Sequence, residues 1–181
     1  MRILNKIMVI GAAFTALNAS AACVLDADII KAQSLNEGAY KSTCLTDFIS
    51  LNSDGVFIVM ADGQEKLEIV DLSDIKVNKI SLYVHESPNL KEIVLGDMKN
   101  FTKLSISDTA LTDMRFLKDI ETMSLSMDSP ISHFPAKNSR FCQNLKTGKI
   151  KVDSGRNDYK FKENCGLELN IDEAMNKKNY E

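Results

Sequence analysis

Apolar and polar residues alternate in five short segments between Gln64 and Ile131. Each segment has the form apolar-x-x-apolar-x-apolar, and one of them begins with a polar residue instead. The segments are 64–69, 77–82, 90–95, 101–106 and 120–125. Alternation with a period of two is typical of a strand with one buried face, so the pattern predicts five strands.

The residues before this region carry different signals. Apolar residues at near-helical spacing between Leu25 and Tyr40 predict a helix, and 42–51 suggests a second short helix. The turn sequence 52–55 is followed by the apolar run Val56–Met60, which predicts a buried strand. A hairpin between that strand and the next one is expected.

The alternating segments resemble the leucine-rich-repeat consensus, L-x-x-L-x-L-x-x-N. In three of them a polar residue follows at the place where the consensus has Asn: His85, Asp108 and Asp128. The middle apolar residues, at 67, 80, 93, 104 and 123, are 13, 13, 11 and 19 residues apart. Only the last interval approaches the roughly 20 to 29 residues usual for the family. The resemblance implies an α/β or mainly β fold, a short parallel β solenoid; alternation alone also allows an α+β domain with an antiparallel sheet.

The first 22 residues have the pattern of a signal peptide. Arg2 and Lys6 precede an uncharged run from Ile7 to Leu17, and small residues follow up to Ala22. This order predicts cleavage of residues 1–22 and a secreted or periplasmic mature protein. The run is shorter than the about 20 apolar residues that cross a bilayer, so no transmembrane segment is expected.

Four cysteines, Cys23, Cys44, Cys142 and Cys165, lie in two pairs near the ends of the mature chain. An even count behind a signal peptide predicts two disulfides, with three possible connectivities. The spacing favours Cys23–Cys44 and Cys142–Cys165, since each closes a loop of about twenty residues. A zinc site is an alternative that lacks a CxxC motif or clustered histidines. A lipid anchor at Cys23 is another, although Ser20 stands where lipoboxes have Leu.

The resemblance also implies that the cysteines belong to caps, because a solenoid must cover its two apolar ends. The expected divisions are an N-terminal helical and hairpin cap at 23–63, the solenoid at 64–135, a C-terminal disulfide cap at 136–170 and a tail at 171–181. Within the second cap, 149–152 and 159–161 read as short strands. A polar helix is expected at 172–178.

The net charge of the chain and the absence of known catalytic motifs exclude several classes of function. Without residues 1–22 the chain has 20 basic and 25 acidic residues, a net charge of about −5, which argues against nucleic acid as a partner. The two histidines, His85 and His133, belong to no zinc-protease motif, and no nucleophile elbow, Walker loop or dinucleotide fingerprint occurs. We therefore expect no enzyme, no cofactor and no metal site. A small secreted or periplasmic hydrolase using carboxylates is the alternative, because a carboxylate pair about 5 to 9.5 Å apart cannot be identified from sequence.

The side chains between the apolar positions are expected to point away from the core and form a binding face. The candidate binding residues are Lys79, Ser81, Tyr83, Glu92, Val94, Lys103, Ser105, Ser107 and Ser124. Tyr83 is the aromatic residue of this set and its expected contact anchor. The sequence thus predicts an exported, non-enzymatic binding protein whose partner is another protein or a cell-surface glycan. An envelope-anchored structural lipoprotein is a further alternative.

Overall fold

The computed structural model describes residues 21–34, 44–46, 48–53, 55–153, 157–170, 174–175 and 178 of the 181-residue chain. Nearly all of the predicted signal peptide and most of the predicted tail helix lie outside these ranges. The strands are β1 (Val24–Leu25), β2 (Ile49–Ser53), β3 (Val56–Met60), β4 (Ile69–Asp71), β5 (Ile80–Val84), β6 (Glu92–Val94), β7 (Phe101–Ser107), β8 (Met123–Asp128) and β9 (Ile150–Val152). The α-helices are α1 (Ala27–Ser34), α2 (Arg140–Lys146) and α3 (Asp158–Asn164), and a 3₁₀ helix spans Arg115–Asp119.

The strands form two sheets. The larger sheet has six strands in the order β2-β3-β5-β7-β8-β9; β2 and β3 form an antiparallel hairpin and all other neighbours are parallel. The smaller sheet has three parallel strands in the order β1-β4-β6. From β3 to β7 the chain therefore passes alternately through the larger and the smaller sheet.

This topology shows that the predicted solenoid is wrong. Segments 64–69 and 90–95 supply β4 and β6 of the smaller sheet, whereas the other three segments supply strands of the larger one. The five segments do not stack in one parallel sheet, and the fold is of α/β type, with a mixed six-stranded and a parallel three-stranded sheet. The antiparallel alternative is also wrong, since β2–β3 is the one antiparallel pair among the described strands. Alternation defines a buried side of each strand but not the sheet that the strand joins.

Both sheets contribute to one hydrophobic core. In the larger sheet Val59, Leu82 and Leu104 lie in register on β3, β5 and β7 and are fully buried. Val70 of β4 and Ile93 of β6 belong to the same cluster, in which helices α2 and α3 also take part. Because these side chains define the inner side of the larger sheet, the residues between them face outward.

A row of buried polar side chains follows the ends of successive strands. Its members are Gln64, Ser87, Thr109, Ser129 and Asn157. The backbone N–H of Gln64 donates to Ser87 Oγ (3.3 Å), and that of Thr109 donates to Ser129 Oγ (3.2 Å). These hydrogen bonds pair backbone N–H groups in turns that are shielded from water. An unpaired N–H group there would lower the stability of the fold. We call this row the polar ladder.

The polar ladder differs from the polar positions that the repeat consensus suggested. Asp108 and Asp128 are exposed and His85 is half-buried. The buried members stand one or two residues later, at Ser87, Thr109 and Ser129. Glu86 and Asp108, which directly precede Ser87 and Thr109, have positive φ angles of 50° and 52°. The chain thus turns sharply before each of these two buried hydroxyls.

The chain ends are closed by two disulfides, as the cysteine count predicted. The bridges join Cys23 to Cys44 and Cys142 to Cys165. The secondary structure near them differs from the sequence-based expectation. The 42–51 region contributes β2 instead of a helix, so the hairpin of β3 is with the preceding strand, and 159–161 belongs to helix α3 instead of a strand. Within the described residues, no helix is long and apolar enough to span a membrane.

Candidate functional site

The candidate site is the outer face of the six-stranded sheet, the side that points away from the core. Two rows of side chains cross it in register. The first row contains Ile58, Ser81, Lys103, Ser124 and Lys151. The second contains Met60, Tyr83, Ser105 and Ser126. Apolar residues occupy the β2–β3 end of both rows, and polar residues occupy the β8–β9 end.

The apolar end extends onto β2. Ile49 pairs with Met60 and Leu51 pairs with Ile58, and directly paired residues point to the same side of a sheet. Ile49 is 50% exposed and Leu51 is 38% exposed, which is unusual for large aliphatic side chains in this chain. Together with Tyr83, these four residues form a continuous surface that we call the apolar patch.

Strand β2 is also the edge of the sheet. Among the described strands it pairs with β3 alone, and helix α1 packs against it. Its sequence, Ile-Ser-Leu-Asn-Ser, contains no charged residue and no proline. Exposed edges are usually protected from pairing by charges, prolines or bulges, because their free N–H and C=O groups are open to another strand. Strand β2, beside the apolar patch, therefore has neither charged residues nor prolines to protect it from pairing.

Polar side chains at the opposite end bind each other. Lys103 Nζ donates to Ser124 Oγ (3.3 Å), and Ser124 Oγ donates to a carboxylate oxygen of Asp153 (2.8 Å). Lys103 Nζ also lies 3.9 Å from that carboxylate. These contacts connect β7, β8 and the residue after β9, so the polar end of the outer face is already hydrogen-bonded without a partner.

A third group of side chains lies between the two ends. Asp62 follows β3, His85 follows β5 and Ser105 lies in β7. His85 Nδ1 is 3.2 Å from Asp62 Oδ1, and His85 Nε2 is 3.0 Å from Ser105 Oγ. Asp62 Oδ1 also accepts a hydrogen bond from the backbone N–H of His85 (3.2 Å). The ring of Tyr83 stands edge-on to the imidazole, with 6.4 Å between their centroids.

The structure brings together most, but not all, of the residues predicted to form the binding face. Six of them lie on the outer face: Ser81, Tyr83, Lys103, Ser105, Ser107 and Ser124. Lys79 precedes β5 and its carbonyl accepts a hydrogen bond from the backbone N–H of Phe57. Glu92 and Val94 belong to β6 and therefore lie in the smaller sheet, away from the other seven.

Several residues of the site were not anticipated. The apolar patch depends on Ile49 and Leu51, which the sequence assigned to a helix. The alternation Ile49-x-Leu51 followed by the turn at 52–55 was the available signal for a hairpin. Asp62 and His85 were not predicted as site residues, since nothing local in the sequence indicates that they approach Ser105.

The side chains whose pKa values are shifted lie near the smaller sheet. The side chain of Arg115 donates to the Asp113 carboxylate and lowers the pKa of Asp113 to about 2, and the raised pKa of Arg115 has the same hydrogen bond as its main cause. Likewise, a hydrogen bond from Lys91 lowers the pKa of Glu68. A cavity of about 400 Å³ adjoins this region and is lined in part by Lys91, Glu92, Asp113 and Arg115. Because two basic and two acidic residues line it, the cavity offers little net attraction for an ion.

In the part of the chain that the structure describes, no group of three or more His, Cys, Asp or Glu side chains is arranged to hold a metal ion. No family model, curated protein or solved structure matches the chain. The resemblance to leucine-rich repeats therefore has no support from a relative.

Proposed function

We propose that this chain is an exported binding protein that recognises another protein through the outer face of its six-stranded sheet. The observation that carries the proposal is the apolar patch, in which exposed Ile49 and Leu51 continue the outward-facing side chains of Ile58, Met60 and Tyr83. Such contiguous apolar surface rimmed by polar residues is typical of interaction sites.

The chemistry of the patch favours a protein over a glycan. Four of its five residues are aliphatic or thioether side chains, which bury apolar surface but cannot donate hydrogen bonds to sugar hydroxyls. The uncharged strand β2, which ends the described strand order of the larger sheet, lies beside the patch. A partner segment in extended conformation would pair with β2 and place alternate apolar side chains on the patch, which is recognition by strand addition.

Export is supported by the two disulfides. Disulfides persist in oxidising compartments and are rare in the reducing cytosol of most organisms. The charged start, apolar run and small residues of 1–22 have the pattern of a secretory signal. An oxidising location would also expose the apolar patch to other secreted or envelope proteins.

The proposal can be tested by photo-cross-linking in the organism that produces the protein. p-Benzoylphenylalanine is placed at position 51 or 83 on the patch, and at the exposed position 118 in the 3₁₀ helix as the control. We expect the same discrete cross-linked product from positions 51 and 83, and none from position 118. Leu51→Asp should remove the product formed from position 83, because a carboxylate would be buried in an apolar contact.

Once the partner is identified by mass spectrometry, its affinity can be measured directly. Tyr83→Ala should weaken binding about 30-fold, which corresponds to roughly 2 kcal/mol for a central aromatic contact. The proposal is wrong if position 118 gives the same products as position 51, or if Leu51→Asp leaves the product from position 83 unchanged.

A further inference from the structure

We infer that Ser105, His85 and Asp62 form a nucleophile, base and carboxylate triad that hydrolyses esters of apolar acyl groups. This inference does not depend on the binding of a protein partner. It rests on the three side chains that meet between the apolar patch and the polar end of the outer face.

The contacts favour one tautomer of His85. Asp62 Oδ1 lies 3.2 Å from His85 Nδ1. Because a carboxylate accepts but does not donate hydrogen bonds, this approach favours the ring with its proton on Nδ1. In the neutral ring Nε2 is then the acceptor, and it lies 3.0 Å from Ser105 Oγ. The serine hydroxyl therefore donates to His85, which is the arrangement that activates a serine nucleophile by an adjacent base.

The base is held in place by its own backbone. The backbone N–H of His85 donates to Asp62 Oδ1 (3.2 Å), and the backbone carbonyl of His85 accepts from the N–H of Gly63 (3.0 Å). The buried hydroxyl of Ser87 also donates to that carbonyl (3.1 Å). These bonds fix the backbone of His85, and the contacts of its ring with Asp62 and Ser105 orient the imidazole before any substrate binds.

A substrate can reach the triad. The side chain of His85 is 32% exposed and that of Asp62 is 49% exposed, so the three groups open onto solvent at the outer face. One hydroxyl beside Ser105 can stabilise the negative charge that develops on the carbonyl oxygen. Ser126 is in register with Ser105 on β8 and lies on the same side of the sheet.

The neighbouring surface indicates the substrate class. On the other side of Ser105, the same row continues with Tyr83 and Met60 of the apolar patch. An apolar acyl group would lie on these two side chains while its carbonyl carbon faces Ser105 Oγ. A short aliphatic ester fits this open surface better than a charged substrate does.

The reaction then follows two steps. Ser105 Oγ attacks the ester carbonyl carbon while its proton moves to His85 Nε2; the bond to the alcohol oxygen breaks, and the alcohol leaves with that proton. Water next attacks the acyl-serine and gives a proton to His85 Nε2; the bond to Ser105 Oγ breaks, Ser105 recovers the proton and the carboxylic acid leaves. No cofactor or oxidant is needed.

The test combines covalent labelling with turnover by the purified, disulfide-bonded protein. A fluorophosphonate probe should label Ser105, located by peptide mass spectrometry, and p-nitrophenyl butyrate should be hydrolysed faster than in buffer. Ser105→Ala and His85→Ala should abolish labelling and lower hydrolysis about 100-fold or more, and Asp62→Asn should lower it at least about tenfold. Thr102→Ala, which removes an exposed hydroxyl from the same strand, is the matched control and should keep both activities.

Thermal unfolding of each variant shows whether it is folded. The inference fails if the folded wild-type protein is not labelled at Ser105, or if Ser105→Ala hydrolyses the ester as fast as wild type. Labelling of Ser105 without turnover of p-nitrophenyl butyrate would overturn the hydrolysis step.

Discussion

The side-chain amide of Asn157 donates a hydrogen bond of 2.7 Å to the backbone carbonyl of Ser129. The same amide lies 3.3 Å from the carbonyl of Met127, and Asn157 is only 3% exposed. Asn157 directly precedes helix α3 and is the last member of the polar ladder. One side chain thus connects the C-terminal helix to the end of β8.

Replacing Asn157 should destabilise the protein clearly. Asn157→Ala leaves the two carbonyls without this donor, and we expect a loss of about 2 kcal/mol in the free energy of unfolding. Urea denaturation measures it, with Asn78→Ala at an exposed position as the control. A loss below about 0.5 kcal/mol for Asn157→Ala would show that the hydrogen bonds are not structural.

Two glycines with similar backbone angles should respond differently to alanine. Gly96 (φ +58°) has the backbone of Ser73 so close that an added Cβ would lie 2.7 Å from Ser73 Cα, whereas Gly63 (φ +66°) has nothing within 4 Å of that position. Gly63→Ala should cost about 1 kcal/mol from the left-handed backbone alone. Gly96→Ala should cost a further 1 to 3 kcal/mol or so, because the turns containing Ser73 and Gly96 must separate. Equal losses in thermal unfolding would contradict this close packing.

The two disulfides should differ in what their removal costs. They span similar distances along the chain, 21 and 23 residues, so chain entropy predicts about 3 kcal/mol for each. Both Cys142 and Cys165 lie in the hydrophobic core, whereas Cys44 is half-buried. The double Cys-to-Ser variant of the C-terminal pair should therefore be less stable than that of the N-terminal pair, because two hydroxyls are placed in the core. Urea denaturation of both variants compares them, and the opposite order would refute the prediction.

The Asp113–Arg115 ion pair should make stability depend on acid pH. The pKa of Asp113 falls from an ordinary value of 3.8 to about 2, with the hydrogen bond from Arg115 as the largest cause. A lowered pKa favours the folded state above pH 4, and this contribution is lost as the pH falls from about 4 to 2. Since the Arg115 side chain is 64% exposed and that of Asp113 is 38% exposed, water screens the pair and we expect less than about 1 kcal/mol.

Asp113→Asn isolates this effect. The difference in unfolding free energy between wild type and Asp113→Asn should be largest above pH 4, shrink toward pH 2, and decrease at high salt. Asp97→Asn is an exposed carboxylate variant for comparison. A difference for Asp113→Asn that stays constant down to pH 2 would rule out the ion pair as its source.

Local features of the fold were predictable. The strand Val56–Met60 has the predicted bounds, because a run of five apolar residues between turn sequences leaves few other structures. The pairing of Cys142 with Cys165 followed from short sequence separation, which makes contact between them entropically favourable. Tyr83 and Ser105 were correctly expected on one face of a sheet, since each stands between two buried residues of its own strand.

Long-range features were not predictable from the same pattern. Val94 and Ser105 have the same alternating surroundings, yet Val94 lies in the smaller sheet and Ser105 in the larger one. Ser87 has no local signal that it is buried, because its burial depends on turns that precede and follow it by more than twenty residues. The contacts of such residues depend on where the connection after each strand places the next strand.

The amino-acid sequence by itself determined which side of the strands between Val56 and Ser107 is apolar, and which cysteines are close enough along the chain to favour a bridge. These properties depend on neighbours within a few residues. Only the tertiary structure decided that the strands divide between two sheets, that Ile49 and Leu51 continue the outer face, and that Asp62, His85 and Ser105 meet across separations of 23 and 20 residues. The physical reason is that a period of two fixes the side toward which a residue points, whereas the register between distant strands fixes what it meets there.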